Sequence, residues 1–80
     1  MKTNERPLGM KIKDFYNMKF DRNDMLRRKD YPEETYKVLG AIEEESNPFY
    51  VKVWYILEDR HGKRQYGLQG VVEDCCELMN

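Results

Sequence analysis

Eighty residues, of which 36% are charged and 40% hydrophobic, predict a single small, water-soluble globular domain. A chain of this length has no room for a large multi-layer enzyme site, and no apolar run approaches the ~20 residues of a membrane-spanning helix. The net charge is only -1. However, residues 1–30 carry nine cations and five anions, whereas residues 31–80 carry five cations and ten anions. The sequence therefore predicts a basic end and an acidic end.

The first 19 residues are predicted to lie outside the folded domain, which then spans residues 20–80. Residues 1–9 are polar, contain Pro7 and Gly9 and have no periodicity, so we expect a flexible tail. Residues 10–20 mix apolar side chains with lysines and fit neither the helical nor the strand period cleanly. We expect an amphipathic arm there, either extended or forming a short helical turn.

Five strands are predicted after the arm, at residues 25–29, 35–43, 49–58, 63–69 and 76–78. Pro32 predicts a loop after the first strand, because proline fixes φ and lacks an amide donor. Gly40 predicts a bulge or bend in the second strand, and an acidic loop is expected at residues 43–48. A tight turn is expected at residues 73–75, before the last strand.

The third strand is the strongest, because aromatic and β-branched residues alternate through it. Its two faces are both apolar, which indicates a central strand or one that curls between two layers. Gly62 supplies the positive φ needed in the hairpin turn that follows. Strand spacing predicts six core residues: Val38, Ile42, Val51, Val53, Leu68 and Leu78.

Five short strands with tight bends predict an all-β fold closed into a small barrel. The order of these segments resembles that of SH3-like small barrels of the short bacterial and phage type. The resemblance covers residues 20–78 and depends on NDMLRRK at 23–29, YKVL at 36–39, YVKV at 50–53, DRHGKR at 59–64 and VEDCCEL at 72–78. It implies a five-stranded SH3-like barrel. The signature and paired tryptophan of signalling SH3 domains are absent, so recognition of proline-rich peptides is not implied.

The chemistry-bearing residues predict no enzyme, no cofactor and no metal site. Cys75 and Cys76 are adjacent, so a bridge between them would be strained, and two free thiols suit a reducing, cytoplasmic setting. Adjacent side chains in a strand point to opposite faces, so we expect one thiol buried and the other exposed. His61 is expected to be a solvated hairpin residue, and the ligand spacing of a zinc site is missing.

The aromatic residues predict a surface for a protein partner or for a second copy of the chain. There are more rings than a small barrel core can bury, and rings are enriched at interfaces. The candidate interface residues are Tyr31, Tyr50, Lys52 and Trp54. Packing of these rings against residues 10–20 remains an open alternative.

Two other functions are open. Arg22, Arg27, Arg28 and Lys29, flanked by Phe20 and Tyr31, would suit nucleic acid, because cations neutralise phosphates and rings stack on bases. Three aspartates interrupt this basic edge, and the sequence pI of about 5.8 is low for a dedicated nucleic-acid binder. The resemblance to short phage-type proteins also implies a possible inhibitor of a host factor.

Overall fold

The computed structural model describes the backbone of residues 2–5, 17–47 and 50–79, and the side chains of residues 17–45 and 51–79. The elements in chain order are β1 (Lys2–Glu5), β2 (Met25–Arg28), β3 (Thr35–Asn47), β4 (Tyr50–Asp59), β5 (Arg64–Leu68), α1 (Gln69–Cys75) and β6 (Cys76–Leu78). The strands form one antiparallel sheet in the order β5–β4–β3–β2–β6, and β1 pairs with the far end of β3.

The described residues therefore form mostly sheet with one short helix, which confirms the predicted predominance of strands. The sheet is not closed, because β5 and β6 are its two ends and no pairing joins them within the described ranges. β2, β4, β5 and β6 each lie within about one residue of a predicted strand. The predicted loop around Pro32 separates β2 from β3.

The region predicted as an acidic loop is instead strand, because β3 continues to Asn47. Glu44 lies directly opposite Lys52 of β4, so unlike charges face each other across the pair. On the other edge, β1 pairs with residues 42–45 of β3. Pairing on both edges explains the extension, and it also places part of the predicted tail in a strand. Residues 6–16, which include most of the predicted arm, lie outside the described residues.

A helix replaces the tight turn predicted at residues 73–75. The sequence of α1 contains Gly70, Val71 and Val72, which are poor helix formers, so packing must stabilise this helix. Val72 is only 5% exposed and packs over β5 at Gly67. A Cβ at position 67 would lie 2.5 Å from Cγ2 of Val72, so the close approach of α1 to β5 requires glycine there.

The hydrophobic core lies on one side of the sheet, under α1 and the segment 17–20. It consists of Met18, Phe20, Leu26, Val38, Ala41, Tyr55, Leu57, Val72 and Cys76. Of the six predicted core residues, Val38 is confirmed, while Ile42, Val53 and Leu68 are half-buried. Val51 and Leu78 were wrong, since they are 49% and 46% exposed. Val51 lies near the far end of the β3–β4 ribbon, and Leu78 lies on an edge strand, so neither is covered from both sides.

A hydrogen-bond network around the Tyr55 hydroxyl ties the core together. The hydroxyl donates to Oε2 of Glu73 in α1 at 2.6 Å and accepts from the buried amide of Phe20 at 3.1 Å. The same Glu73 oxygen accepts from the amide of Lys19 at 2.9 Å and from the side-chain amide of Gln69 at 3.3 Å. One hydroxyl and one carboxylate thus join β4, α1 and the segment that precedes β2.

Two glycine substitutions test the contact between α1 and β5. We expect Gly67→Ala to lower the free energy of unfolding by about 1–3 kcal/mol, because Val72 must move to admit the new methyl group. Gly70→Ala is the matched control, since a Cβ there meets nothing within 4 Å. It should raise stability by about 0.5–1 kcal/mol through helix propensity. Urea unfolding measures both, and equal effects of the two substitutions would contradict the described packing.

Removal of the Tyr55 hydroxyl tests the network. We expect Tyr55→Phe to cost about 1–3 kcal/mol, because the buried amide of Phe20 loses its acceptor and Glu73 loses a donor. Tyr31→Phe, at a ring that is 48% exposed, is the control and should change little. Thermal melts monitored by circular dichroism compare the two variants.

The same network predicts that the free energy of unfolding depends on pH in the alkaline range. Burial, and then the hydrogen bond to Glu73, raise the pKa of Tyr55 above its ordinary value of 10.0. The stabilisation is therefore fully present below about pH 10 and is lost as the pH rises towards the raised pKa. The stability difference between the wild type and Tyr55→Phe should narrow above pH 10. A constant difference from pH 8 upward would show that the phenol ionises equally in both states.

Candidate functional site

The side of β3, β4 and β5 that points away from the core carries a second apolar surface, which we call the outer face. Its described side chains include Ile42, Glu44, Lys52, Trp54, Ile56, Tyr66 and Leu68. Trp54 lies between Ile42 of β3 and Leu68 of β5, and Ile56 lies opposite Tyr66. Directly paired residues of an antiparallel sheet share a face, so these side chains form a continuous surface.

A β-bulge in β3 decides which residues reach the outer face. The register shifts between Val38, which pairs with Leu57, and Gly40, which pairs with Ile56, as the glycine predicted. Ile56 is 1% exposed although it is outside the core cluster. Its Cδ1 would lie 3.6 Å from a Cβ at position 40, so the ribbon is closely packed there. The outer face therefore has an apolar centre of its own.

A shallow groove of about 230 Å³ opens on this face beside Trp54. It is lined by Ile42, Glu44, Trp54 and Tyr66. The indole ring is half-buried, and its Nε1 is buried with no acceptor in the part of the chain that the structure describes. A buried donor without an acceptor costs about 1–3 kcal/mol, and an acceptor reaches this nitrogen only if the side chains that cover it move. Tyr66, at the rim, is 52% exposed.

Two of the four residues predicted for a protein interface lie together on the outer face, namely Lys52 and Trp54. Tyr31 lies in the loop between β2 and β3, where its carbonyl accepts from the amide of Glu34, and it is not on the outer-face strands. The backbone of Tyr50 pairs with Asn47, but its side chain lies outside the described residues. Sequence reasoning missed Ile42 and Tyr66, since alternation within one strand does not identify the partners across it.

A second groove, of about 310 Å³, lies between β5, α1 and β2, and we call it the seam groove. Its lining includes Arg28, Tyr36, Gln65, Tyr66, Val71 and Cys75. Nε and Nη2 of Arg28 donate to the two carboxylate oxygens of Asp30 at 3.1 and 2.8 Å. This bidentate contact raises the pKa of Arg28 and lowers that of Asp30. The positive charge at the groove is thus already paired.

The four cations predicted for nucleic acid do not share one surface. Arg27 and Arg28 are neighbours in β2, so their side chains point to opposite faces. Arg27 donates from Nε to Glu77 of β6 at 2.8 Å, and Arg28 is held by Asp30. Lys29 is exposed and Arg22 is half-buried. Each β2 arginine faces a carboxylate, which lowers the positive potential available to a phosphate.

The thiols and the histidine lie in different parts of the fold. Cys75 is exposed and Cys76 buried, as predicted, and burial raises the pKa of the Cys76 thiol. His61 is exposed in the β4–β5 turn, where its amide donates to Asp59 and Gly62 has φ of 81°. The thiols lie instead at the junction of α1 and β6. Within residues 17–45 and 51–79, no three His, Cys, Asp or Glu side chains gather as a metal site.

No protein-family model matches the chain, and comparison with the curated proteins and with the solved structures finds no significant match. No helix in the described ranges has both the length and the apolar character needed to cross a membrane.

Salt titration tests the basic edge. Because Arg27 and Arg28 face carboxylates, we expect weak binding of single-stranded or duplex oligonucleotides, unchanged by Arg27→Ala. Fluorescence anisotropy at increasing salt measures this. Tight binding would contradict it, particularly if the slope of log K against log salt fell by about 0.7–0.9 for the removed cation.

Proposed function

We propose that this chain is a non-enzymatic protein-binding module, built as an SH3-like small barrel, which docks a partner protein on its outer face. The observation that carries the proposal is Trp54, half-buried in the outer-face groove with no acceptor for its Nε1 in the described residues. An interface that covered this groove would bury the part of the aromatic ring that is still exposed.

The order of the strands supports the barrel architecture. β2, β3, β4 and β5 pair in the order in which the chain makes them, and β6 returns to the free edge of β2. This return brings the first and last strands of residues 20–80 side by side, and pairing of β5 with β6 would then complete a small barrel. α1 spans the remaining gap between β5 and β6 and packs Val72 into the core.

The composition of the outer face is that of an interface centre. Tryptophan and tyrosine are the residue types most enriched at energetic hot spots, and Trp54 and Tyr66 line one groove. The half-buried Ile42 supplies apolar area beside them. A polar rim is supplied by Glu44 and Lys52, which lie opposite each other at one end. This rim favours a partner that presents an apolar side chain flanked by charged groups.

Trp54→Ala tests the proposal. Because the ring lies outside the core cluster, we expect the variant to keep its fold while losing about 2 kcal/mol or more of partner affinity. Trp54 is the only tryptophan in the chain, so its fluorescence reports directly on the groove. Partner binding should shift the wild-type emission to shorter wavelength. Tyr31→Ala, an exposed ring in the β2–β3 loop, is the matched control and should bind like the wild type.

The partner is sought by pull-down from the native host with wild type, Trp54→Ala and Tyr31→Ala, each with and without nuclease. The proposal predicts a nuclease-resistant protein that the wild type and Tyr31→Ala retain and Trp54→Ala loses. Loss on nuclease treatment would favour the nucleic-acid alternative. A collapse of the Trp54→Ala thermal melt would show instead that the ring stabilises the fold.

A further inference from the structure

The outward edge of β5 is a site for pairing with another strand. β5 ends the sheet, and its described pairing is with β4 alone. We propose that two copies of this chain pair through their β5 edges, antiparallel, about a twofold axis at Gln65. This contact uses the backbone edge of the sheet, whereas the partner docking proposed above uses the groove at Trp54, and Tyr66 borders both.

The hydrogen-bond phase of the β4–β5 hairpin identifies the free backbone groups. The amide of Asp59 donates to the carbonyl of Lys63 at 2.8 Å, and the amide of Lys63 donates to the Asp59 side chain, so these two residues occupy a hydrogen-bonded position of the ladder. Such pairs alternate along an antiparallel ladder, so Gln65 and Gly67 also bond to β4. The amides and carbonyls of Arg64 and Tyr66 must therefore point away from β4, towards the open edge.

The edge is accessible, and neither a proline nor a bulge blocks it. Arg64, Gln65 and Tyr66 are all exposed, so the strand is uncovered on both of its faces there. Natural edge strands are commonly blocked by proline, by a bulge or by inward charges. β5 contains no proline, and its register with β4 is continuous from Arg64 to Leu68. Beyond Gly67, α1 covers the strand, which limits the open segment to residues 64–66.

A second copy fits this edge because the segment is self-complementary. A twofold axis at Gln65 sets Arg64 opposite Tyr66 of the second copy, and Tyr66 opposite Arg64 of the second copy. The outward groups of these two pairs form four backbone hydrogen bonds. Each guanidinium also lies beside the electron-rich face of a tyrosine ring, an electrostatically favourable pairing. At the axis the two Gln65 side chains are neutral amides, and each donates to Asp59 of its own copy.

Tyr66→Lys is the discriminating variant. It leaves the β4–β5 ladder intact. Because of the twofold axis, it places a lysine opposite an arginine in both of the symmetry-related pairs. Sedimentation should find the wild type at twice its 9.7 kDa mass with increasing concentration, and the variant at the monomer mass. Tyr31→Lys makes the same change at a ring of similar exposure, 48% against 52%, and should remain dimeric. The double variant Arg64→Glu with Tyr66→Lys should dimerise again, because opposite charges then face each other.

Hydrogen exchange locates the contact and separates it from the outer face. The amides of Arg64 and Tyr66 should become protected as concentration rises, whereas those of Gln65 and Gly67 should be protected at every concentration. Trp54→Ala should leave the dimer unchanged even if it abolishes partner binding. A wild type that stays monomeric at the highest concentration reached would overturn the inference. So would a dimeric Tyr66→Lys, or a dimer that Trp54→Ala dissociates while both edge amides exchange freely.

Discussion

The hydrogen bond between the Tyr55 hydroxyl and Glu73 is the interaction on which the arrangement of the core depends. Tyr55 is fully buried in the central strand β4, so its polar end needs a partner inside the protein. Glu73 supplies that partner from α1, and the same oxygen holds the amide of Lys19. The position of the helix and the path of the chain before β2 are thus set by a single carboxylate.

The position of α1 in turn shapes both grooves and one edge of the sheet. With Glu73 held by Tyr55, the preceding residue of the helix, Val72, packs against Gly67. This contact covers β5 from Gly67 onward and leaves residues 64–66 uncovered. Tyr66 stands where the uncovered segment, the seam groove and the outer-face groove meet. The outer face and the open edge at residues 64–66 therefore lie side by side on β5, whose other end packs against α1.

Local signals in the sequence were enough for much of the fold. The alternation in β4, the glycine in the β4–β5 turn and the glycine at the β3 bulge each depend on near neighbours, and each was predicted. The helix at residues 69–75 was not predictable, because Val72 and Glu73 become helical through contacts with Gly67 and Tyr55, which lie elsewhere in the sheet. The extension of β3 depends likewise on Lys52 and β1 across the ladder. For the candidate site, Trp54 and Lys52 were found from one strand, but Ile42 and Tyr66 required the register.

The bulge in β3 has a consequence for how this chain can vary in length. Before the bulge, the even-numbered Tyr36 and Val38 share the core side; after it, the even-numbered Gly40 and Ile42 lie on the outer face. The one extra residue, Leu39, thus keeps the two halves of the strand in opposite phase. Deleting it would remove the bulge and leave the other residues of the strand on their present faces, whereas an added residue elsewhere in β3 would exchange the inner and outer side chains of one half. β3 should therefore tolerate the loss of Leu39 far better than the insertion of a residue, while the exposed turn at residues 60–62 tolerates changes of either kind.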